Sequence, residues 1–363
     1  MPANFHKRPF DEGTVTKLQI FELYAREWLP VFLSGQKSPR ASIHIFDFFS
    51  GPGIDSVGQL GSPLRLLNQL KIYRQLPGWK SVSVHLHFFD KSSAKTQELK
   101  AQIALRDLEL PKLNFDIRAI AFEQAFPESE AILLDEQAAK LVFIDQCGVD
   151  QVTPQVFQTL VSSPTCDFLF FLSSSTLHRF HEHPAIKQRI VRPNDYFHVH
   201  RAAVQYYRSL IKESRPYFLA PFSIKKNANI YGIIFGSAHP LGIDKFLQVA
   251  WDNDQISGEA NFDIDRENIR EEEILLPLAE MRPNKIAAFE SELEHLLRDG
   301  RLADELQVMR VCFEHGVRRQ HATPVLGKLK LERVIELDFR VPDIRRLDSP
   351  RAIRMIAASE RRR

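Results

Sequence analysis

Two periods of apolar residues run through this chain. From Thr14 to Leu33, the apolar positions Leu18, Ile20, Phe21, Tyr24, Trp28, Leu29 and Phe32 recur at spacings of mostly three and four, the period of an amphipathic helix. Downstream the runs shorten. Segments 43–49, 83–89, 113–121, 140–145 and 167–172 are apolar or alternating and read as strands, and segments 62–76, 91–107, 122–138 and 153–162 are long enough for helices between them. Strands separated by helical crossovers predict a mainly parallel sheet covered on both faces. "AKLVFIDQCG" and "CDFLFFLSSS" read as its buried central strands. After a helical stretch near 195–214, "PYFLAPFSI" and "ANIYGIIFGS" stand only "KKN" apart. A parallel crossover needs a dozen or more residues, so these two are expected to pair antiparallel.

Beyond residue 258 the composition changes. Residues 259–305 hold 14 acidic against 6 basic residues and include Pro277 and Pro283, which sets a linker at 261–284 after a first domain of 1–260. Segments 285–297, 302–312 and 323–331 then read as helices and "RVIELDF" as a strand, the make-up of a winged helix-turn-helix-like domain over 285–340. A basic tail, 341–363, follows. Residues 306–363 carry 14 basic against 7 acidic residues, so nucleic acid is a candidate partner of this part, with a solvated basic face as the alternative. The whole chain of 363 residues has 48 basic and 46 acidic residues, a balance that gives no global preference for nucleic acid or membrane. "MPANFHKRPFDEG" lacks the apolar core of a secretory signal and no stretch is long enough to span a bilayer, so a cytoplasmic protein without a membrane partner is expected. The three cysteines, Cys147, Cys166 and Cys312, are scattered, which excludes a disulfide framework and a cysteine-built zinc site.

The candidate chemistry lies where strands end. In "DFFSGPG", Asp47, Phe49, Ser50, Gly51 and Gly53 follow the first strand, and the glycines let peptide N–H groups approach a ligand closely. A plain strand-to-helix turn is the competing reading. Ser62-Pro63 is expected to cap the next helix, which leaves about a dozen residues between strand and helix, more than a simple Rossmann turn needs. Asp90 ends the second strand, where a doubly wound fold places an acidic side chain on ribose hydroxyls, or else it caps the helix that follows. "FIDQCG" brings Asp145, Gln146 and Cys147 to the end of the fourth strand, in the same crevice. Asp145 is expected to orient a substrate amine or amide; Cys147 is either a nucleophile or a structural thiol. In "STLHRFHEH", His178 and Arg179 are expected on the substrate side, and no metal site is assigned to His178, His181 and His183 because the motif H-E-x-x-H is missing.

Five parallel strands ending in an antiparallel hairpin form the strand pattern of class I S-adenosylmethionine methyltransferases. The set "YAREW", "FDFFSGPG", "GSPL", "FIDQCG" and "ANIYGIIFGS" resembles the three-Cys-motif partner protein family, TcmP, over most of residues 14–255. The resemblance implies a Rossmann-like class I methyltransferase fold, S-adenosyl-L-methionine as cofactor, and association with a separate radical-SAM-like protein that carries the three cysteines. Asp47, Gly51 and Gly53 match the family's loop, and Asp145 with Gly148 matches its Asp-Pro-aromatic-Gly strand end. Here Gln146 replaces the proline and Cys147 the aromatic residue. Two functions therefore compete: methyl transfer to an amino group, with nucleic acid as a candidate acceptor, and a scaffold that keeps the cofactor pocket while serving the partner protein.

Overall fold

A computed structural model describes residues 9–36, 38–106, 110–145, 151–172, 199–212, 217–226, 229–265 and 284–356. These fall into two compact units, Met1–Lys245 and Phe246–Arg363.

The first unit begins with helix α1, Glu12–Leu33, capped by Asp11, whose side chain accepts from the Thr14 N–H. Its stripe of Phe21, Tyr24, Trp28 and Phe32 is buried, as the periodicity requires. Strand β1 (Ser42–Asp47) leads through a long loop to α2 (Ser62–Tyr73), then β2 (Ser83–Asp90), α3 (Ser93–Ala104) and β3 (Leu113–Ala119). Two short helices, α4 (Phe122–Glu128) and α5 (Glu130–Leu133), precede β4 (Ala138–Ile144), α6 (Pro154–Ser162) and β5 (Cys166–Leu172). Helix α7 (Val199–Ser209) and the hairpin of β6 (Phe218–Lys226) and β7 (Asn229–Ser237) complete the sheet, and α8 (Pro240–Asn253) follows.

The seven strands lie in the order β3-β2-β1-β4-β5-β7-β6. Strands β1 to β5 run parallel, and β7 runs antiparallel to both β5 and β6. Every residue of β4 is buried, which explains a sequence that is apolar but for Lys140, whose ammonium donates to Asp135 O at 2.6 Å: a central strand has helices or loops on both faces. Edge strand β6 tolerates Pro221, because only one of its sides is paired. On β7, Gly236 faces Phe168 of β5, and a β-carbon there would lie 2.1 Å from the Phe168 ring. The strand crossing at this point needs a residue without a side chain.

One face of the sheet carries a row of histidines within its apolar packing. His44 of β1 pairs in register with His85 of β2, and their rings stack with centroids 4.5 Å apart. His44 Nδ1 lies 3.0 Å from His87 Nε2, and its other nitrogen lies 3.0 Å from Ser42 Oγ. Burial, reinforced by the neighbouring imidazoles, pushes His44 down to about 3. His87 is pushed down to about 4 by burial, although Asp116 on β3 pulls the other way. Both rings are therefore neutral at physiological pH.

In the second unit, α9 (Asn284–Arg298), α10 (Glu305–Glu314) and α11 (Thr323–Leu331) pack through Phe289, Leu293, Val308, Cys312, Leu326 and Leu329. The stretch "RVIELDF" contributes only β8 (Ile335–Glu336), paired with β9 (Arg354–Met355). Fully buried Glu305 ties the chain end down: its carboxylate accepts from Arg351 Nη2 at 2.6 Å, from Arg351 N at 2.8 Å and from Asp343 N at 2.9 Å. Most of the expected linker, residues 266–283, lies outside the described residues. Among the described residues, no helix is long and apolar enough to cross a membrane.

Candidate functional site

The carboxyl ends of β1, β2 and β4 lie side by side at the centre of the sheet, and the loop after β1 is built from its own backbone groups. Ser50 donates twice to Phe89 O, from its N–H at 2.9 Å and its hydroxyl at 3.2 Å, which sews the loop to the end of β2. Phe49 stacks on Phe122, centroids 5.6 Å apart. Gly51 and Gly53 have φ values of 62° and 87°, in the left-handed region that disfavours a β-carbon. The chain then makes a closed excursion. Ile54 bridges Leu60, and the Gly61 N–H returns to Gly53 O at 2.7 Å. Asp55 sits inside it, accepting from the N–H groups of Phe10, Val57 and Gln59 at 2.7, 2.9 and 2.8 Å. This excursion is the physical content of the dozen residues between strand and helix.

A β-carbon on Gly53 would fall 2.8 Å from Leu99 Cδ1, as well as straining the backbone. We expect Gly53→Ala to destabilise the unit by about 1–3 kcal/mol. Thermal unfolding checks it, and an unchanged midpoint would show that the loop relaxes freely.

Asp47 is 1% exposed and holds the loop's two ends. One carboxylate oxygen accepts from the Phe49 N–H at 3.0 Å, the other from Ser62 Oγ at 2.5 Å. Ser62 is thus the first residue of α2 and Gly61 its N-cap, in place of the Ser62 cap expected from sequence, because the serine hydroxyl is already committed to Asp47. Burial raises Asp47 to about 7 against the lowering effect of these two hydrogen bonds; Asp145 raises it further and Lys17 lowers it. Asp90 accepts from the Ser92 N–H at 2.8 Å and lies 3.5 Å from Lys95 Nζ. Ser92, not Asp90, caps α3.

At the end of β4, Asp145 meets a residue that strand-end reasoning does not reach. Lys17 Nζ of α1 lies 2.5 Å from Asp145 Oδ2 and 4.7 Å from the centroid of the Phe171 ring. The other oxygen, Asp145 Oδ1, is buried and has no hydrogen-bond partner among the described residues. A sequence signal for Lys17 exists: it extends the stripe of Phe21, Tyr24, Trp28 and Phe32 by one turn, so it is a lysine on a buried helix face. Helix α1 is anchored by that same face. The Tyr24 hydroxyl donates to Asp167 Oδ2 at 2.6 Å, and Trp28 and Ser237 also bond this carboxylate. Burial, partly offset by these bonds, raises Asp167 to about 6. Asp167 lies near the start of β5 and Phe171 near its end, so α1 runs antiparallel to β5 and delivers Lys17 to the strand-end side.

The structure thus brings Asp47, Ser50, Gly51, Gly53, Asp90 and Asp145 to one edge of the sheet. Gln146, Cys147, His178 and Arg179 lie outside the described residues, as do His181 and His183. Among the described residues no cluster of histidine, cysteine or carboxylate side chains is arranged to hold a metal ion.

No protein-family model matches the chain, and no curated protein sequence matches it. Among solved structures it is similar to the O-methyltransferase TomG of Streptomyces achromogenes, involved in tomaymycin synthesis and in complex with SAM. That similarity has 12% identity and a TM-score of 0.30, over 62% of this chain and 89% of that one. It is also similar to the arsenic(III) S-adenosylmethionine methyltransferase of Chlamydomonas reinhardtii, with 12% identity and a TM-score of 0.29, over 56% of this chain and 66% of that one. Likeness this distant carries no weight by itself. The strand order does: a parallel five-stranded core in the order 3-2-1-4-5, closed by a reversed seventh strand inserted before the sixth, is a Rossmann-like sheet with the topology of class I methyltransferases.

Proposed function

We propose that the first unit is an S-adenosyl-L-methionine-dependent methyltransferase whose acceptor is held by Asp145. The observation that carries this reading is Asp145 Oδ1, a buried acceptor without a partner among the described residues, at the carboxyl end of a central strand. Ligands of open parallel sheets bind outside those strand ends, and a buried carboxylate oxygen left unpaired is costly unless a ligand completes it. The residues present fit the cofactor. The turn at Gly51 and Gly53 leaves backbone room for the amino-acid tail, and Asp90 stands where ribose hydroxyls are held in such folds. Asp47 organises the loop from beneath, since both its oxygens already accept hydrogen bonds.

The cofactor, when bound, supplies a methyl group on a sulfonium. The chain's part is to hold the acceptor so that its N–H or O–H donates to Asp145 Oδ1, which leaves a lone pair directed at that methyl group. An amino acceptor, as the sequence suggested, satisfies this requirement in its uncharged form.

Isothermal titration with S-adenosylmethionine and S-adenosylhomocysteine tests the reading. We expect both to bind, and Asp90→Ala to weaken both about 10- to 100-fold through the lost hydrogen bonds to a charged acceptor. No heat of binding to the wild-type chain, or equal affinity in Asp90→Ala, would sink it.

A further inference from the structure

We propose that Lys17 is the charge-selecting residue of this crevice: its ammonium, held by Asp145 over the Phe171 ring, fills the cation position on the acceptor side, so the site takes an uncharged nucleophile and excludes an ammonium. The assignment of an acceptor side rests on the methyl-transfer reading. The cation position itself does not.

A carboxylate together with an aromatic face is the chemistry that recognises an ammonium ion. Here the chain supplies that ion itself. The Lys17 side chain is 8% exposed and that of Asp145 17%, so the pair sits largely out of water, where breaking it would strand a buried charge. An incoming protonated amine would have to displace Lys17 or lie beside a second positive charge. Lys17 is also held in place, because α1 is pinned to the sheet through Tyr24 and Trp28 on the same helix face. Among the described residues Asp47 is a further charged group near the pair, and its proton affinity responds to both Asp145 and Lys17. Aliphatic ammonium groups such as a lysine side chain are thereby poor acceptors; an exocyclic ring amine, an amide or a hydroxyl is admitted.

The same charge must be felt by the cofactor. S-adenosylmethionine carries a sulfonium and S-adenosylhomocysteine an uncharged thioether, so the ratio of their dissociation constants reports the local charge. A unit charge at about 6 Å, with an effective dielectric of about 20, changes binding by up to about 100-fold, and solvent screening brings this to about 10-fold. Removing Lys17 leaves Asp145 uncompensated and favours the cation.

The test uses the full chain and isothermal titration. In Lys17→Met the ratio Kd(S-adenosylhomocysteine)/Kd(S-adenosylmethionine) should rise about 10-fold over wild type. In Lys17→Arg, and in the double variant Lys17→Met with Asp145→Asn, it should stay within about threefold of wild type, because the local charge is unchanged in both. The double variant also guards against an unpaired Asp145 unfolding the protein. A Lys17→Met ratio within about threefold of wild type, with both ligands bound, overturns the proposal. If neither ligand binds the wild-type chain, the methyl-transfer reading fails instead, and a second measurement decides the cation position alone. Propylammonium, but not propanol, should raise the melting temperature of Lys17→Ala and leave wild type unmoved. An equal response to the two compounds overturns it.

Discussion

Replacing both buried histidines, His44→Phe with His87→Leu, is expected to change the difference in unfolding free energy from wild type by about 5 kcal/mol between pH 7 and about pH 4.5, in the variant's favour at acid pH. The sign follows from where the protons bind. An unfolded histidine titrates near 6.5, whereas folded His44 and His87 stay neutral down to about 3 and about 4. Below 6.5 the unfolded chain takes up protons that the folded chain refuses. Their stabilising contribution is therefore complete above 6.5 and is lost as the pH falls toward the folded values, at about 2.5 kcal/mol each by pH 4.5. The charged groups around the row are Asp116, Arg118, Asp135 and Lys140, together with His85. Two buried carboxyls pull the other way. Asp47 and Asp167 are raised to about 7 and about 6, so their contribution is complete below 3.8 and is lost as the pH rises through those values. Wild type alone shows only the balance, which is why the measurement is a difference between two urea-unfolding curves at each pH. Parallel pH profiles for the two proteins would refute the assignment.

The second large effect belongs to the anchor of α1. Asp167→Ala is expected to cost about 2–4 kcal/mol, because it takes the acceptor from the buried Tyr24 hydroxyl, removes the carboxylate beside Trp28 and leaves an empty volume. Tyr24→Phe, which removes one donor and leaves the carboxylate in place, should cost about 1–2 kcal/mol. Urea unfolding at neutral pH measures both. If Asp167→Ala cost less than Tyr24→Phe, the carboxylate would not be the hub of the network.

The sheet was legible in the sequence because its central strands are buried on both faces and therefore read as apolar runs broken by a single charge each, Lys140 in "AAKLVFI" and Asp167 in "CDFLFFL". The short "KKN" link likewise announced the antiparallel pair of β6 and β7. Asp47, Asp90 and Asp145 were legible for a topological reason: polar residues that end apolar strands must share one edge of a parallel sheet. Lys17 was not, because its partner stands 128 residues away and a helical period reports only which face is buried, not what it is buried against. The histidines of "SIHIFD" and "SVHLHFFD" were read simply as alternation, since register between β1 and β2 decides whether they meet. The role of Ser62 was misread for a similar reason. Its hydroxyl suits a helix cap, but a tertiary partner, Asp47, claims it first.

The anchor of α1 also imposes an order on biosynthesis. This helix is synthesised before the seven strands of the sheet it docks on, yet its docking carboxylate lies 143 residues downstream of Tyr24, and Ser237 of β7, beside that carboxylate, comes later still. At bacterial or eukaryotic elongation rates the wait is on the order of 10–40 s, during which Phe21, Tyr24 and Trp28 have no sheet to cover them. The apolar face of α1 therefore stays uncovered in the nascent chain until those strands are made. A holdase bound there would be released only when β5 and β7 arrive, the same moment at which Lys17 and Asp145 meet.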